Sequence, residues 1–233
     1  MTPASHPVHA VVGDIALRVD WLSPDVAATA ARLRRLGLAV VEASGARGPV
    51  LDLAGRPLAI LAAPSGERHE RLVALADRLS VSSSASAGPA APGVTGLAAI
   101  GWATVDAQRA SAGLLRVPVV DLLDAGPDDA LGAHAYGLPA EDGEGGPPVL
   151  FLEPAREGPL AAALARFGEG PVALYLAGAP GPPADRSLRA PAATPVGAAR
   201  LVRPERPWGP FLLLVGALST DRRSLAHPTG PVA

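Results

Sequence analysis

His134 and Tyr136 stand two apart in LGAHAYGLP, so on a strand they share one face. An imidazole gives and takes protons near neutral pH, and a phenol beside it can orient or donate a hydrogen bond. Facing a pocket, the pair would do the acid/base work of an isomerase or lyase. Facing outward, it is an ordinary polar strand face. His6, His9, His69 and His227 lie near the ends or in a polar stretch predicted helical, at no metal-binding spacing. Trp102 reads as a core aromatic or a ligand platform. Arg203, Glu205 and Arg206 crowd one loop, where they would steer an anionic ligand or stay solvated. Asp106 reads as a helix N-cap and Glu153 as a strand end.

Other chemistry is excluded by composition. Every basic residue is Arg, so Lys Schiff bases are impossible, and with no Cys there are no disulfides, thiolate nucleophiles or zinc–thiolate sites. No GxxxxGK followed by Ser or Thr, no strand-linked GxGxxG and no GxSxG elbow occurs. Ser82 to Ser84 read as linker. A net charge of -2 and a pI of about 6.2 give no basic field for nucleic acid or anionic lipid. The N-terminus has neither the basic region nor the apolar stretch of a signal peptide, and no apolar run nears the ~20 residues that span a bilayer. The expectation is a cytoplasmic protein with a small-molecule ligand and no nucleic-acid or membrane partner.

The elements that would position these residues recur. IALRVDW (15–21) alternates as a strand. A helix follows, with Ser23 as N-cap, Pro24 at N1 and Gly37 as its stop. LAVVEAS, GPVLDLAG and RPLAILAAP read as three strands, completing a βαβββ unit over 13–64. GERHERLVALADRLS (66–80) reads as an amphipathic helix, and the small, Pro/Gly-rich 80–96 as a linker. A strand at LAAIGWATVD, a helix at DAQRASAGLL, and strands at VPVVDLL, LGAHAYGLP and PPVLFLEP repeat the order. A connecting helix, EGPLAAALARFGEG, leads to PVALYLAG (171–178). That strand opens a third unit, whose helix is opposed by the prolines of APGPPADRSLRAPAATP and whose last strands are GAARLVRPE and PFLLLVG. The organisation predicted is 1–79 as an N-terminal βαβββ-like module, 80–96 as linker, 97–216 as a paired βαβββ domain and 217–233 as a tail. The fold class predicted is α+β, with repeated βαβββ units in curved mixed sheets. An odd number of units leaves one without a counterpart, and this predicts a homodimer.

Residues 97–216 resemble methylmalonyl-CoA epimerase and, more broadly, the vicinal oxygen chelate superfamily that includes glyoxalase I and bleomycin-resistance-like proteins. LAAIGWATVD matches the family's LDHIGIAVxD, VLFLEP its IELLEP, GEGPVALY its GEGIHHIA, and GAARLVRPE with GPFLLL its GARIAFLHP with GVLIEL. The resemblance implies sheets curled around a pocket with a divalent metal that polarises two substrate oxygens. The family's four metal ligands fall here on Ala99, Leu150, Ala173 and Leu213, none of which carries a donor atom. In the first unit the matching place falls on Asp14, opposite Ile60. The expectation is therefore a protein with no metal and no cofactor that binds a small organic ligand in an apolar pocket formed by these four positions, with Trp102 and Arg203. The alternatives are a metal-free enzyme using His134 and Tyr136, or a structural module with the pocket filled.

Overall fold

The computed structural model describes residues 9–12, 15–42, 48–54, 56–78, 95–138, 148–178 and 188–216. Most of the predicted linker and all of the predicted tail lie outside these.

Strand β1 (His9–Val12) pairs antiparallel with β2 (Ile15–Ser23), and helix α1 (Val26–Arg35) follows. Next come β3 (Val40–Glu42), β4 (Pro49–Leu53) and β5 (Arg56–Ala62), in the sheet order β1-β2-β5-β4-β3 with β2 and β5 parallel. This is the predicted first βαβββ unit. Its helix starts later than expected. Ser23 still pairs in the β2–β5 ladder, and Asp25 is the N-cap, accepting the Ala28 N–H at 2.9 Å. Ser23 instead braces the turn, its Oγ accepting the Asp25 N–H at 3.0 Å.

The predicted helix over 66–80 is a strand, β6 (Arg71–Arg78), antiparallel to β2 from Ile15↔Arg78 to Leu22↔Arg71. The stretch has helical periodicity, but pairing with β2 satisfies backbone groups along both strands, and tertiary pairing outweighs so weak a local preference.

The second sheet holds β7 (Gly96–Ala103), β8 (Leu123–Asp128), β9 (Ala133–Gly137), β10 (Val149–Pro154), β11 (Gly170–Ala177), β12 (Ala199–Leu201) and β13 (Phe211–Val215), ordered β12-β13-β11-β7-β10-β9-β8. Helix α2 (Ala107–Leu115) follows β7, and α3 (Pro159–Phe167) joins β10 to β11. Both helices stand where the sequence predicts them. Asp106 caps α2 by accepting the Arg109 N–H at 2.9 Å, and Pro159 opens α3. Gly168 ends α3 at φ +75°, a conformation a Cβ would oppose. β7 runs parallel to β10 and β11 parallel to β13, so the first and last strands of each unit are neighbours. In the third unit Leu188 bridges Val202 and Ala192 bridges Ala199, supplying the position next to β12. Residues 179–187, where its helix would fall, lie outside the described residues.

One predicted strand shifts. Residues 117–122 of VPVVDLL are unpaired, with Val117 and Val119 exposed, and β8 begins only at Leu123. Pro118 cannot donate to a ladder. The turn at 129–132 sets the register instead, with Asp128 opposite Ala133 and the Asp128 carboxylate accepting the Leu131 N–H at 2.9 Å.

Two cores result. One joins Trp21, Leu33, Leu51 and Ile60 of the first sheet to Ile100, Phe151, Leu174 and Leu212 of the second. The other, built from the second sheet, contains Leu152, Tyr175 and Phe211 with Leu160 and Ala163 of α3. The fold is α+β, of βαβββ units in mixed sheets. Among the described residues no helix is long and apolar enough to cross a membrane.

Candidate functional site

Ala99, Leu150, Ala173 and Leu213 come from four adjacent strands of the second sheet, and all are at most 5 % exposed within the second core. The four positions stand side by side across these strands, and each is packed in this core. Gly101 measures this packing. A Cβ added there would stand 2.8 Å from Leu152 Cδ1, 2.9 Å from Ala173 Cβ and 3.3 Å from Tyr175 Cε2. At this point of the face there is no room for one more methyl group. A hydrogen bond of 2.5 Å runs here from the Tyr175 hydroxyl to Asp128 Oδ2, with both residues fully buried. Burial pushes the Asp128 carboxyl above the usual carboxylate range, against the lowering effect of the Tyr175 hydrogen bond. Burial, and the Asp128 charge after it, push the Tyr175 phenol well up.

A recess lies elsewhere, between β6 and the end of the second sheet where β7 finishes and β11 begins. It encloses about 220 Å³ and is walled by Trp102, Phe167, Trp208, Pro171 and Pro210, with Arg71 and Glu169 at its polar side. Pro171 stands opposite Trp102, and the ladder bulges between Pro171 and Ala173, opening the strands there. His69 packs edge-on against Trp208 with centroids 5.3 Å apart, and the Arg166 guanidinium lies 5.7 Å from the centre of the same indole. The indole N–H groups of Trp102 and Trp208, like that of Trp21 in the core, are buried and have no acceptor. A buried donor left so costs about 1–3 kcal/mol.

Both charged groups of the recess are already paired. Arg71 holds Glu67 at 2.6 Å. Glu169 accepts from Thr104 Oγ1 at 2.7 Å, from the Val105 N–H at 3.1 Å and from Arg109 at 2.6 Å. The Thr104 hydrogen bond, with the Val105 N–H and Arg109, holds the Glu169 carboxyl below the usual range. The Glu of GEG thus fastens the start of β11 to the N-terminal turn of α2.

His134 and Tyr136 are neighbours as predicted, with rings 4.9 Å apart. They line neither this recess nor the second core. The His134 side chain is 36 % exposed and its Nε2 lies 2.8 Å from Asp124 Oδ1 on the outermost strand, β8. The Gly126 N–H, with His134 after it, holds the Asp124 carboxyl down. Burial, and the Glu153 and Asp124 charges, raise the Tyr136 phenol. Glu153 Oε1 accepts the Ala107 N–H at 2.6 Å, at the first turn of α2. Arg203 borders a second, smaller recess of about 90 Å³ with Arg32, and Glu205 lies 3.8 Å from Arg32. Arg206 is exposed. His69, predicted on a helix surface, sits in the turn before β6, while His6 and His227 lie outside the described residues. Among the described residues no three His, Asp or Glu side chains are grouped to hold a metal.

No family model and no curated protein matches the chain. Solved structures do. A Streptomyces coelicolor methylmalonyl-CoA epimerase variant in complex with 2-nitronate-propionyl-CoA is 20% identical over 53% of this chain and 97% of its own, with a TM-score of 0.38. The Mycobacterium tuberculosis methylmalonyl-CoA epimerase is 16% identical over 52% and 87%, with a TM-score of 0.36. A hypothetical protein from Bacillus halodurans is 16% identical over 52% and 94%, with a TM-score of 0.37. The strand order itself, with each unit's first and last strands parallel and the second and third units joined antiparallel through β7 and β11, decides the class. This is an α+β fold of paired βαβββ units, the arrangement that the resemblance to the vicinal oxygen chelate superfamily implies.

Within the chelate-type frame the first unit repeats the second more closely than the sequence reading recognised. Trp21 opposes Ile60 on a parallel strand as Trp102 opposes Phe151. Two residues on stand Ser23 and Thr104, and two further the N-caps Asp25 and Asp106. The offset of 81, carried by the pattern Trp-x-Ser/Thr-x-Asp, could have been read from the sequence. It puts Arg18, not Asp14, in the place of Ala99 and Asp20 in the place of Gly101, while the pairing of Trp21 with Ile60, as of Trp102 with Phe151, puts Ala59, not Ile60, in the place of Leu150. Asp14 lies outside the described residues. The reading also missed Phe167, Trp208 and Arg71. Their signal was the scarcity of aromatics: only eight occur in the chain, and three of them wall one recess.

Proposed function

We propose that this chelate-type protein binds a small organic molecule without the family's metal, in the recess at Trp102 rather than in the interior of the second sheet. The observation that carries the reading is the pair of opposed faces of β7: Gly101 faces atoms within 3 Å, while Trp102 walls about 220 Å³ of space. The interior slots Ala99, Leu150, Ala173 and Leu213 then serve as core, and Arg203 serves the rim of a separate recess. We also propose the division into an N-terminal module, 1–79, and a paired domain, 97–216, with the ligand held between them by β6 and β7. The acid/base alternative has less support, because His134 is spent on an exposed Asp124 and lies away from the recess. Ligand pockets for drug-sized molecules occupy roughly 300–1,000 Å³, so this recess is too small to enclose a coenzyme A thioester.

Thermal unfolding with a panel of fused-ring fragments and propionyl-CoA tests the reading. At least one fragment should stabilise the protein saturably, by about 2.7 kcal/mol at a hundredfold excess over Kd, and propionyl-CoA should not. Trp102→Ala, checked for fold by circular dichroism, should abolish the shift. No stabilising fragment, or a shift that survives Trp102→Ala, overturns the reading.

A further inference from the structure

Resting on the recess as the binding site, we infer that its ligand is a flat, uncharged, fused-ring compound carrying hydrogen-bond acceptors, such as a neutral heteroaromatic or a lactone. Three features converge on this chemistry.

The first is the distribution of aromatic residues. The chain has eight. Four of them, Trp21, Phe151, Tyr175 and Phe211, are fully buried in the cores, and Tyr136 sits beside His134. The remaining three, Trp102, Phe167 and Trp208, wall the recess. Pro171 and Pro210 complete its apolar surface. Rigid aromatic and ring surfaces favour a planar guest, because offset-stacked and edge-on ring contacts add to simple burial.

The second is charge. Arg71 and Glu169 are the charged residues that line the recess, and each is already committed to a partner of opposite sign, Glu67 and Arg109. The charges of Arg71 and Glu169 are thus already balanced by Glu67 and Arg109, so the recess offers a charged guest no unbalanced charge to compensate its desolvation, and a neutral guest needs none.

The third is hydrogen bonding. The indole N–H groups of Trp102 and Trp208 have no acceptor, and solvent does not reach either nitrogen. A modest turn of the Trp102 indole toward the recess would pair its donor with an acceptor on the guest, while leaving the ring in contact with it. Arg166 and His69 already hold the Trp208 ring from outside the recess, so its apolar surface stays in place.

The test compares three probes of similar size by tryptophan fluorescence and calorimetry: coumarin, naphthalene and 2-naphthoate. Coumarin should bind about tenfold tighter than naphthalene, and 2-naphthoate no tighter than naphthalene. Trp102→Phe with Trp208→Phe keeps the rings and removes the donors. This double variant should still bind naphthalene and should lose the preference for coumarin. If naphthalene matches coumarin, or the preference survives the double variant, the acceptor requirement is wrong. If 2-naphthoate binds tightest, the ligand is anionic. In either event the recess stands as the site. If none of the three binds, the proposed site itself fails.

Discussion

The first and second βαβββ units share a frame and put it to different use. Trp21 and Trp102 occupy equivalent places, each followed by a hydroxyl residue and an Asp N-cap. Glu70 precedes β6 as Glu169 precedes β11, and each carboxylate reaches back to an earlier helix or the turn before it: Glu70 to Thr29 and Arg32 of α1, Glu169 to Thr104 ahead of α2 and to Arg109 within it. Yet Trp21 is fully buried, with the Arg32 guanidinium 5.7 Å from its ring centre, while Trp102 is open to the recess. Arg32 lies seven residues after its N-cap. Seven residues after Asp106 stands Gly113, and Arg109 turns to Glu169 instead. One covering side chain separates a core tryptophan from the wall of a cleft. The opposite faces differ as well: Arg18 and Asp20 bond to each other at 3.1 Å where the second unit has Ala99 and Gly101.

The largest expected effect comes from those opposite faces. Gly101→Val forces a branched side chain against Leu152, Ala173 and Tyr175 and should destabilise by about 3 kcal/mol. Asp20→Ala in the equivalent place should cost about 1 kcal/mol, because the half-exposed Arg18 can turn to water. Denaturant unfolding measures both, and a reversed order would break the comparison.

Asp128→Ala comes next. It strips the acceptor from the buried Tyr175 hydroxyl and the Leu131 N–H and should cost about 1–3 kcal/mol. Asp128→Asn, which keeps an acceptor and removes the charge, should cost less. The folded carboxyl titrates above its unfolded value, so its contribution is fully present below about pH 4 and is lost as pH rises through the raised value. Wild type should therefore lose stability relative to Asp128→Asn as pH rises over that window. A parallel course of the two curves would remove the buried carboxyl from the account.

The two glutamates sharpen the comparison further. The Glu70 side chain is 18% exposed and that of Glu169 31%. Glu70→Gln should cost about 1–2 kcal/mol and Glu169→Gln about 0.5–1 kcal/mol, since solvent screens the second more. Glu169 titrates below its unfolded value, so what it contributes is present above about pH 4.3 and fades as pH falls through the lowered value. Urea unfolding of both variants at pH 7 and pH 3 checks order and sign.

The smallest effect is expected at His134. Its partner Asp124 is exposed, so His134→Ala should stay within about 0.5 kcal/mol of wild type and leave probe binding at Trp102 unchanged. A lost turnover in that variant would restore the acid/base reading.

Strand β6 shows where local pattern misled: GERHERLVALADRLS suits a helix until β2 offers eight backbone partners. Period and turn chemistry did place α2, α3, β7, β10, β11 and β13 within about two residues, because caps and alternation are local facts. The four interior slots picked out by the motifs of the second and third units stand on four adjacent strands.

Sequence by itself determined the repeated βαβββ order, the absence of Cys and Lys chemistry and the lack of donor atoms at Ala99, Leu150, Ala173 and Leu213. Whether those slots enclosed space was decided only by tertiary packing, because the gap left by a small residue depends on which distant side chains move in. Here Leu152, Ala173 and Tyr175 close in on Gly101, on the strand of Ala99. The recess was likewise invisible in sequence. Its walls come from 71–74, 102, 167–172 and 208–210, and only the docking of β6 beside the end of the second sheet brings them together.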